Sequence, residues 1–109
     1  MQTFLIYITT RDTSQARDIG RYLVESRLAA CANIFDGMNS MYIWQGQFQD
    51  DQEAVLIAKT TQARLKALIE AVKERHDYEC PCIVAMPITE GNPDFLTWIA
   101  DQVGDGEEL

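Results

Sequence analysis

The order of its apolar segments constrains the fold of this chain more than any other feature of its sequence. Short runs rich in β-forming residues alternate with two longer stretches in which apolar residues recur at helical spacing. The resulting order is β-α-β-β-α-β, and a short helical segment follows the last strand. This order is typical of a split βαβ arrangement, in which two helices pack on one face of an antiparallel sheet. We therefore predict a single α+β domain.

Capping residues mark where the predicted helices begin. Asp12 is a suitable N-cap for the first helix, and Thr60 or Thr61 is suitable for the second. Asn92 and Pro93 begin the third, because a proline at the first helical position loses no hydrogen bond. We expect strands at 3–9, 29–35, 41–44, 54–58 and 82–86, with Pro87 ending the last. We expect the first helix at about 13–27, and the second to begin after its Thr60 or Thr61 cap and to end near Arg75-His76. These elements predict a ferredoxin-like fold.

The middle of the chain is predicted to form a long β-hairpin. Asp36-Gly37 indicates a turn or a bulge in its first arm, and Gln45-Gly46 indicates its tip. Arms of this length extend beyond a small four-stranded sheet and expose aromatic side chains to water. The aromatic residues concerned are Tyr42, Trp44 and Phe48. Unpaired strand edges and exposed rings favour assembly through these arms.

Charge and the lack of long apolar runs limit the classes of partner. The chain carries 17 acidic and 9 basic residues, a net charge of −8, which repels phosphate backbones and anionic lipid. The apolar run at 4–8 is far shorter than the roughly 20 residues that cross a bilayer. We expect no nucleic-acid or membrane partner and a cytoplasmic location. The domain is predicted to span 1–103, followed by a flexible acidic tail at 104–109.

The three cysteines are predicted to be reduced thiols, because their number is odd. Cys80 and Cys82 lie two residues apart, so on a strand both sulfurs face the same side and can converge on a soft ion such as Cu(I). His76 is close enough in sequence to add a nitrogen ligand. The alternative is structural: the two thiols fill core space, and His76 interacts with the C-terminal end of a helix. We expect Cys31 to be a core residue.

Other polar and aromatic groups suggest weaker hypotheses. Asp50, Asp51 and Glu53 are expected to be a solvated hairpin base, because they lack the ligand spacing of a calcium loop. Tyr42, Trp44 and Trp98 suit either a cleft between subunits or simple interface packing.

The sequence does not indicate an enzyme. It has no glycine-rich phosphate loop, and a nucleophile pair of a cysteine with His76 has no evident third group to orient the imidazole.

Six motifs, in their order and spacing, resemble those of the CutA family, the divalent-cation tolerance proteins. They are LAACANI at 28–34, SMYIWQG at 40–46, LIAKTT at 56–61, HDYECP at 76–81, MPI at 86–88, and GN at 91–92 followed by LTWI at 96–99. The resemblance spans residues 3–101. It implies a ferredoxin-like protomer related to PII signalling proteins, a cytoplasmic homotrimer joined through its sheets, and binding of copper or another divalent cation.

The chain departs from the family pattern where metal ligands are expected. Ile8 stands where some members have a cysteine, Arg75 where some have a second histidine, Asp77 at a common proline and Cys82 at a common glutamate. The candidate metal residues are therefore this chain's own His76, Cys80 and Cys82. The alternatives to metal binding are a PII-like regulatory module with a small anionic effector in its inter-subunit clefts, and a stable scaffold for a protein partner.

Overall fold

Residues 2–104 are described by a computed structural model, and they form four strands and three helices. The strands are β1 (Thr3–Thr10), β2 (Cys31–Trp44), β3 (Gln47–Thr61) and β4 (Ile83–Ile88), and the helices are α1 (Thr13–Glu25), α2 (Gln62–Arg75) and α3 (Pro93–Gln102). The strands pair antiparallel in the order β2-β3-β1-β4. This is the order of the ferredoxin-like split βαβ fold, so the predicted fold is confirmed. Residues 105–109 of the predicted tail lie outside the described residues, and the division at 103 stays a prediction.

The two faces of the sheet differ in how they are covered. Helices α1 and α2 pack on one face, where the core includes Ile6, Ile8 and Leu56, each fully buried. Gly20 allows this close packing, since a Cβ there would lie 3.2 Å from Leu56 Cδ1. On the opposite face, which we call the open face, Val84 is exposed within the single chain. On the helix side of β1, Ile6, Ile8 and Thr10 are fully buried.

The β2–β3 hairpin continues well past the rest of the sheet. Strand β1 pairs with residues 54–61 of β3, whereas residues 38–44 of β2 pair with 47–53 of β3 to form a projecting arm. Gln45 and Gly46 form its tip with positive φ angles of 51° and 81°, the conformation of a tight hairpin turn. Asp36 and Gly37 together oppose Ala54, which makes this site a bulge rather than a turn.

Several predicted boundaries were wrong: β2 begins at Cys31 rather than 29, and β3 spans Gln47–Thr61 rather than 54–58. Two others were wrong for identifiable reasons. Pro87 does not end β4 but lies within it, paired with Phe4. Within the sheet formed by residues 2–104, β4 is an edge strand, where a missing backbone N–H is tolerated. Helix α1 ends at Glu25 rather than residue 27, because Arg27 adopts a left-handed φ of 61° that ends a helix.

Candidate functional site

A cleft lies between the hairpin arm and the loop that joins α2 to β4. Its volume is about 720 Å³. The hairpin arm supplies one wall of the cleft. Asp51 and Glu53 belong to this wall because they lie two residues apart and therefore face the same side of β3. The lining residues are Tyr7, Thr9, Ser40, Met41, Tyr42, Trp44, Asp51, Glu53, Asp77, Tyr78, Glu79, Cys80 and Cys82.

Three consecutive residues of the loop fix it to three different elements. The first is His76, whose Nε2 lies 2.7 Å from the carbonyl oxygen of Thr9 at the end of β1. The second is Asp77, which accepts hydrogen bonds from side chains of Gln15 and Arg11 near the start of α1. The third is Tyr78, which donates a 2.7 Å hydrogen bond to Glu53 of β3. The position and orientation of the loop are thus set by the rest of the fold.

The Gln15–Asp77 bond also has an electrostatic consequence. The Gln15 amide, followed by the Arg11 guanidinium, holds the pKa of Asp77 below its usual value. Asp77 is therefore an ionised anchor of the loop.

His76 has both ring nitrogens engaged. Its side chain is fully buried and Nε2 donates to Thr9, while Nδ1 accepts a 3.2 Å hydrogen bond from the backbone N–H of Tyr78. His76 is the C-cap of α2, as expected, but its ring bonds a carbonyl of β1 and not a terminal carbonyl of the helix. A metal ion at either nitrogen would have to displace one of these hydrogen bonds.

Cys80 and Cys82 both line the cleft, although not for the predicted reason. They lie in the loop before β4, so the expectation that they share one side of a strand was wrong. The core-filling alternative was also wrong, because both residues are exposed. Partial burial of its sulfur, followed by the nearby charges of Glu53 and Cys80, raises the pKa of Cys82 despite an opposing hydrogen bond with Thr9.

The third cysteine lies apart from the cleft. Cys31 is half-buried on β2, and its sulfur lies 3.8 Å from Nζ of Lys59. The expectation that it belongs to the core was therefore wrong. Successive side chains of β2 point to opposite faces of the sheet. Ala32 packs towards the core, so its neighbour Cys31 lies on the open face.

The carboxylates of the hairpin base divide into two kinds. Asp50 and Asp51 are exposed, as expected, whereas Glu53 is only 7% exposed. Tyr42 donates a 2.7 Å hydrogen bond to Asp51, and this bond is the main reason that the pKa of Tyr42 is raised. Burial, together with Glu53, raises the pKa of Tyr78 strongly. Both hydroxyl groups therefore keep their protons at neutral pH and act as donors to carboxylates.

The aromatic residues singled out in the sequence also divide. Tyr42 and Trp44 line the cleft, but Trp98 lies on α3 and stacks on Phe95 with ring centroids 5.5 Å apart.

Sequence reasoning missed Tyr78 and Tyr7 as lining residues. The β-hairpin register places Ser40 opposite Asp51, and this neighbourhood follows from the tip at Gln45-Gly46 and the alternation of the arms. No local pattern in the sequence predicts that Tyr78 forms a hydrogen bond with Glu53.

The described residues offer limited metal-binding potential. Within 2–104, no three side chains of His, Cys, Asp or Glu are arranged to hold a metal ion. Cys80 and Cys82 are the two thiols in the lining of the cleft. In the same part of the chain, no helix has the length and hydropathy needed to cross a bilayer.

Comparisons with known proteins agree with the fold and the motifs. A family model described as "CutA1 divalent ion tolerance protein" matches residues 4–102. The chain is 46% identical over 100 residues to the divalent-cation tolerance protein CutA of Thermus thermophilus, covering 92% of this chain and 97% of that protein. It is 37% identical over 97 residues to the chloroplastic protein CutA of Arabidopsis thaliana, where the match covers 89% of this chain and spans about half, 53%, of the longer plant protein.

A solved structure gives the same result. The crystal structure of CutA from Xylella fastidiosa matches with a TM-score of 0.92 at 36% identity, covering 94% of this chain and 99% of that one. The family description and the name of the Thermus protein refer to ion tolerance, and none of these names states a reaction.

Proposed function

The chain belongs to the CutA1 divalent ion tolerance family, and on that premise we propose that it contributes to divalent-cation tolerance by binding a metal ion at Cys80 and Cys82. The observation that carries the proposal is the position of both thiols in the lining of one cleft. Four carboxylates, from Asp51, Glu53, Asp77 and Glu79, share that lining and attract cations towards it.

The chemistry of two thiols favours a soft ion. Thiolates select copper, especially Cu(I), and zinc, whereas calcium and magnesium need six or more oxygen ligands. Copper is therefore the first candidate, with zinc as the second. The metal is the cargo of the protein, and folding should not require it, because Cys80 and Cys82 lie outside the apolar core.

The predicted third ligand, His76, is kept as a secondary proposal. Binding through Nδ1 would require Tyr78 to give up its backbone hydrogen bond, and binding through Nε2 would release Thr9. Either change loosens an end of the loop. We therefore propose that the two thiols bind the metal first and that His76 mainly positions the loop that carries them.

We further propose that the active form is a cytoplasmic homotrimer with no catalytic step. The hairpin tip supports assembly, because Ile43 and Phe48 pair across it and are 72% and 68% exposed. Apolar side chains so exposed usually mark an interface.

Titration of reduced, metal-free protein with Cu(I) and Zn(II) against a competing chelator tests the proposal. We expect one site per chain that is lost in the Cys80→Ser/Cys82→Ser double variant. Cys31→Ser is the matched control, because it removes a thiol that does not line the cleft, and it should leave binding unchanged. Equal binding by the double variant and Cys31→Ser would refute the site.

A further inference from the structure

Glu53 is a buried acid without a cationic partner. It is 7% exposed, and its Oε2 accepts the hydrogen bond from Tyr78. Among residues 2–104, no lysine or arginine forms an ion pair with it, and its second oxygen accepts no hydrogen bond. Burial of a carboxylate is unfavourable unless a positive charge or further donors compensate for the lost water. Glu53 therefore lacks a positively charged partner on the side that faces the cleft.

A second carboxylate of the cleft lies at a defined distance from the first. Asp51 faces the same side of β3, two residues away, so the two Cα atoms are about 7 Å apart. One carboxylate oxygen of Asp51 accepts the hydrogen bond from Tyr42, and the other oxygen of Asp51 has no donor within the described part of the chain. Two carboxylates that project from the same side of one strand, with this Cα spacing, suit a ligand that carries two positive charges joined by a short chain.

Aromatic rings form much of the remaining lining. Tyr7, Tyr42, Trp44 and Tyr78 line the cleft, and the faces of such rings attract organic cations. The hydrogen bonds from Tyr42 and Tyr78 keep their rings neutral and fix their orientation. No lysine or arginine belongs to the part of the lining that residues 2–104 form. The same charge pattern opposes the small anionic effector considered from the sequence.

The size of the cleft exceeds what a metal ion requires. A volume of about 720 Å³ is in the range of sites for small organic molecules. From the buried unpaired Glu53, the spacing to Asp51 and the aromatic lining, we infer that the cleft binds an aliphatic polyamine. One ammonium group pairs with Glu53, a second pairs with Asp51, and the alkyl chain lies along the ring of Trp44. This inference does not depend on the metal site.

Putrescine, a diamine with a four-carbon chain, is the probe for a direct test. The experiment uses reduced, metal-free, full-length protein that carries Trp98→Phe. This substitution leaves Trp44 as the sole tryptophan, so the fluorescence of Trp44 reports on the cleft. We expect saturable binding with one site per chain and a change in Trp44 emission. Glu53→Gln and Asp51→Asn should each weaken binding at least about tenfold, because each removes a charge that the ligand contacts. Added salt should weaken binding further.

Matched controls separate a specific site from general attraction to an acidic protein. Glu90→Gln removes an exposed acid outside the cleft and should change affinity less than about twofold. Butylamine keeps one ammonium group and the chain length, and it should bind at least about tenfold more weakly than putrescine. Equal effects of Glu53→Gln and Glu90→Gln, equal affinities for the two amines, or binding that does not saturate would each overturn the inference.

Asp51→Asn and the double cysteine variant keep the test decisive. If circular dichroism shows that Glu53→Gln does not fold, Asp51→Asn at its exposed position and the butylamine comparison decide the outcome. The Cys80→Ser/Cys82→Ser variant should still bind putrescine. Failure of Cu(I) binding with retained putrescine binding would refute the proposed metal function alone, and the reverse result would refute the polyamine site alone.

Discussion

Nε2 of His76 lies 2.7 Å from the carbonyl oxygen of Thr9, so a buried hydrogen bond joins the end of α2 to the end of β1. Replacement of His76 by alanine removes this donor and leaves a cavity. We expect the free energy of unfolding to fall by about 2 kcal/mol, because a buried carbonyl loses its partner. Urea unfolding at fixed protein concentration measures the change.

The matched control for His76→Ala is Glu74→Ala on the exposed side of α2. It should alter the free energy of unfolding by less than about 0.5 kcal/mol. If both variants lose the same amount, the His76–Thr9 bond does not stabilise the fold as we expect.

The bulge in β2 should depend on the glycine that forms it. Gly37 has a φ of 73°, a conformation that costs an L-residue about 1–2 kcal/mol. We expect Gly37→Ala to destabilise the protein by about that amount in the same unfolding assay. Gly91→Ala is the control, since a Cβ there would make an ordinary 3.4 Å contact with Leu96. Equal losses in the two variants would contradict the role of the bulge.

Alkaline pH should reveal the burial of Tyr78. Burial and Glu53 raise its pKa above the ordinary 10.0, so the unfolded chain releases this proton at lower pH than the folded protein. The resulting stabilisation is present below pH 10 and is lost as the pH rises further towards the folded-state pKa. Unfolding measured at increasing pH should show a smaller loss of stability in Tyr78→Phe than in wild type. Parallel curves for the two proteins would contradict this prediction.

Assembly should depend on the apolar hairpin tip. Ile43 and Phe48 are opposite each other on the arm, and a lysine at either position would place a charge in the proposed interface. We expect light scattering to give three times the mass of one chain for wild type. Ile43→Lys should raise the dissociation constant at least about tenfold. Gln47→Lys, an exposed polar position on the same arm, is the control, and equal dissociation of both variants would argue against an interface at the tip.

Metal affinity should rise with pH. The raised pKa of Cys82 means that its thiol holds a proton at neutral pH, and a metal ion must displace that proton to bind the thiolate. Below the thiol pKa, affinity should increase about tenfold per pH unit for each proton released. Chelator-competition titrations at several pH values test this, with proton release measured in parallel. A flat profile would indicate ligands that are already deprotonated, such as the carboxylates.

Local patterns in the sequence were sufficient for most of the fold. The tip and the bulge followed from Gly46 and Gly37, whose positive φ angles other residues avoid. The continuation of β4 through Pro87 did not follow, because edge position depends on how distant strands pair.

The candidate site was less accessible to prediction. Cys80 and Cys82 were identified from their spacing, but their position in a cleft depends on the loop tethers. Those tethers join His76 to Thr9 and Tyr78 to Glu53, which are far apart in the chain. A periodic pattern carries no information about such contacts, since they arise only when α2 packs on the sheet that contains the hairpin strands.

X-ray absorption spectroscopy of the copper- or zinc-loaded protein tests the central claim most directly. It identifies the atoms bound to the metal without any substitution in the chain. Binding by Cys80 and Cys82 predicts two sulfur neighbours, at about 2.3 Å in the zinc form, and their loss in the Cys80→Ser/Cys82→Ser variant. A spectrum with oxygen and nitrogen neighbours alone, unchanged in that variant, would contradict the proposed thiol site.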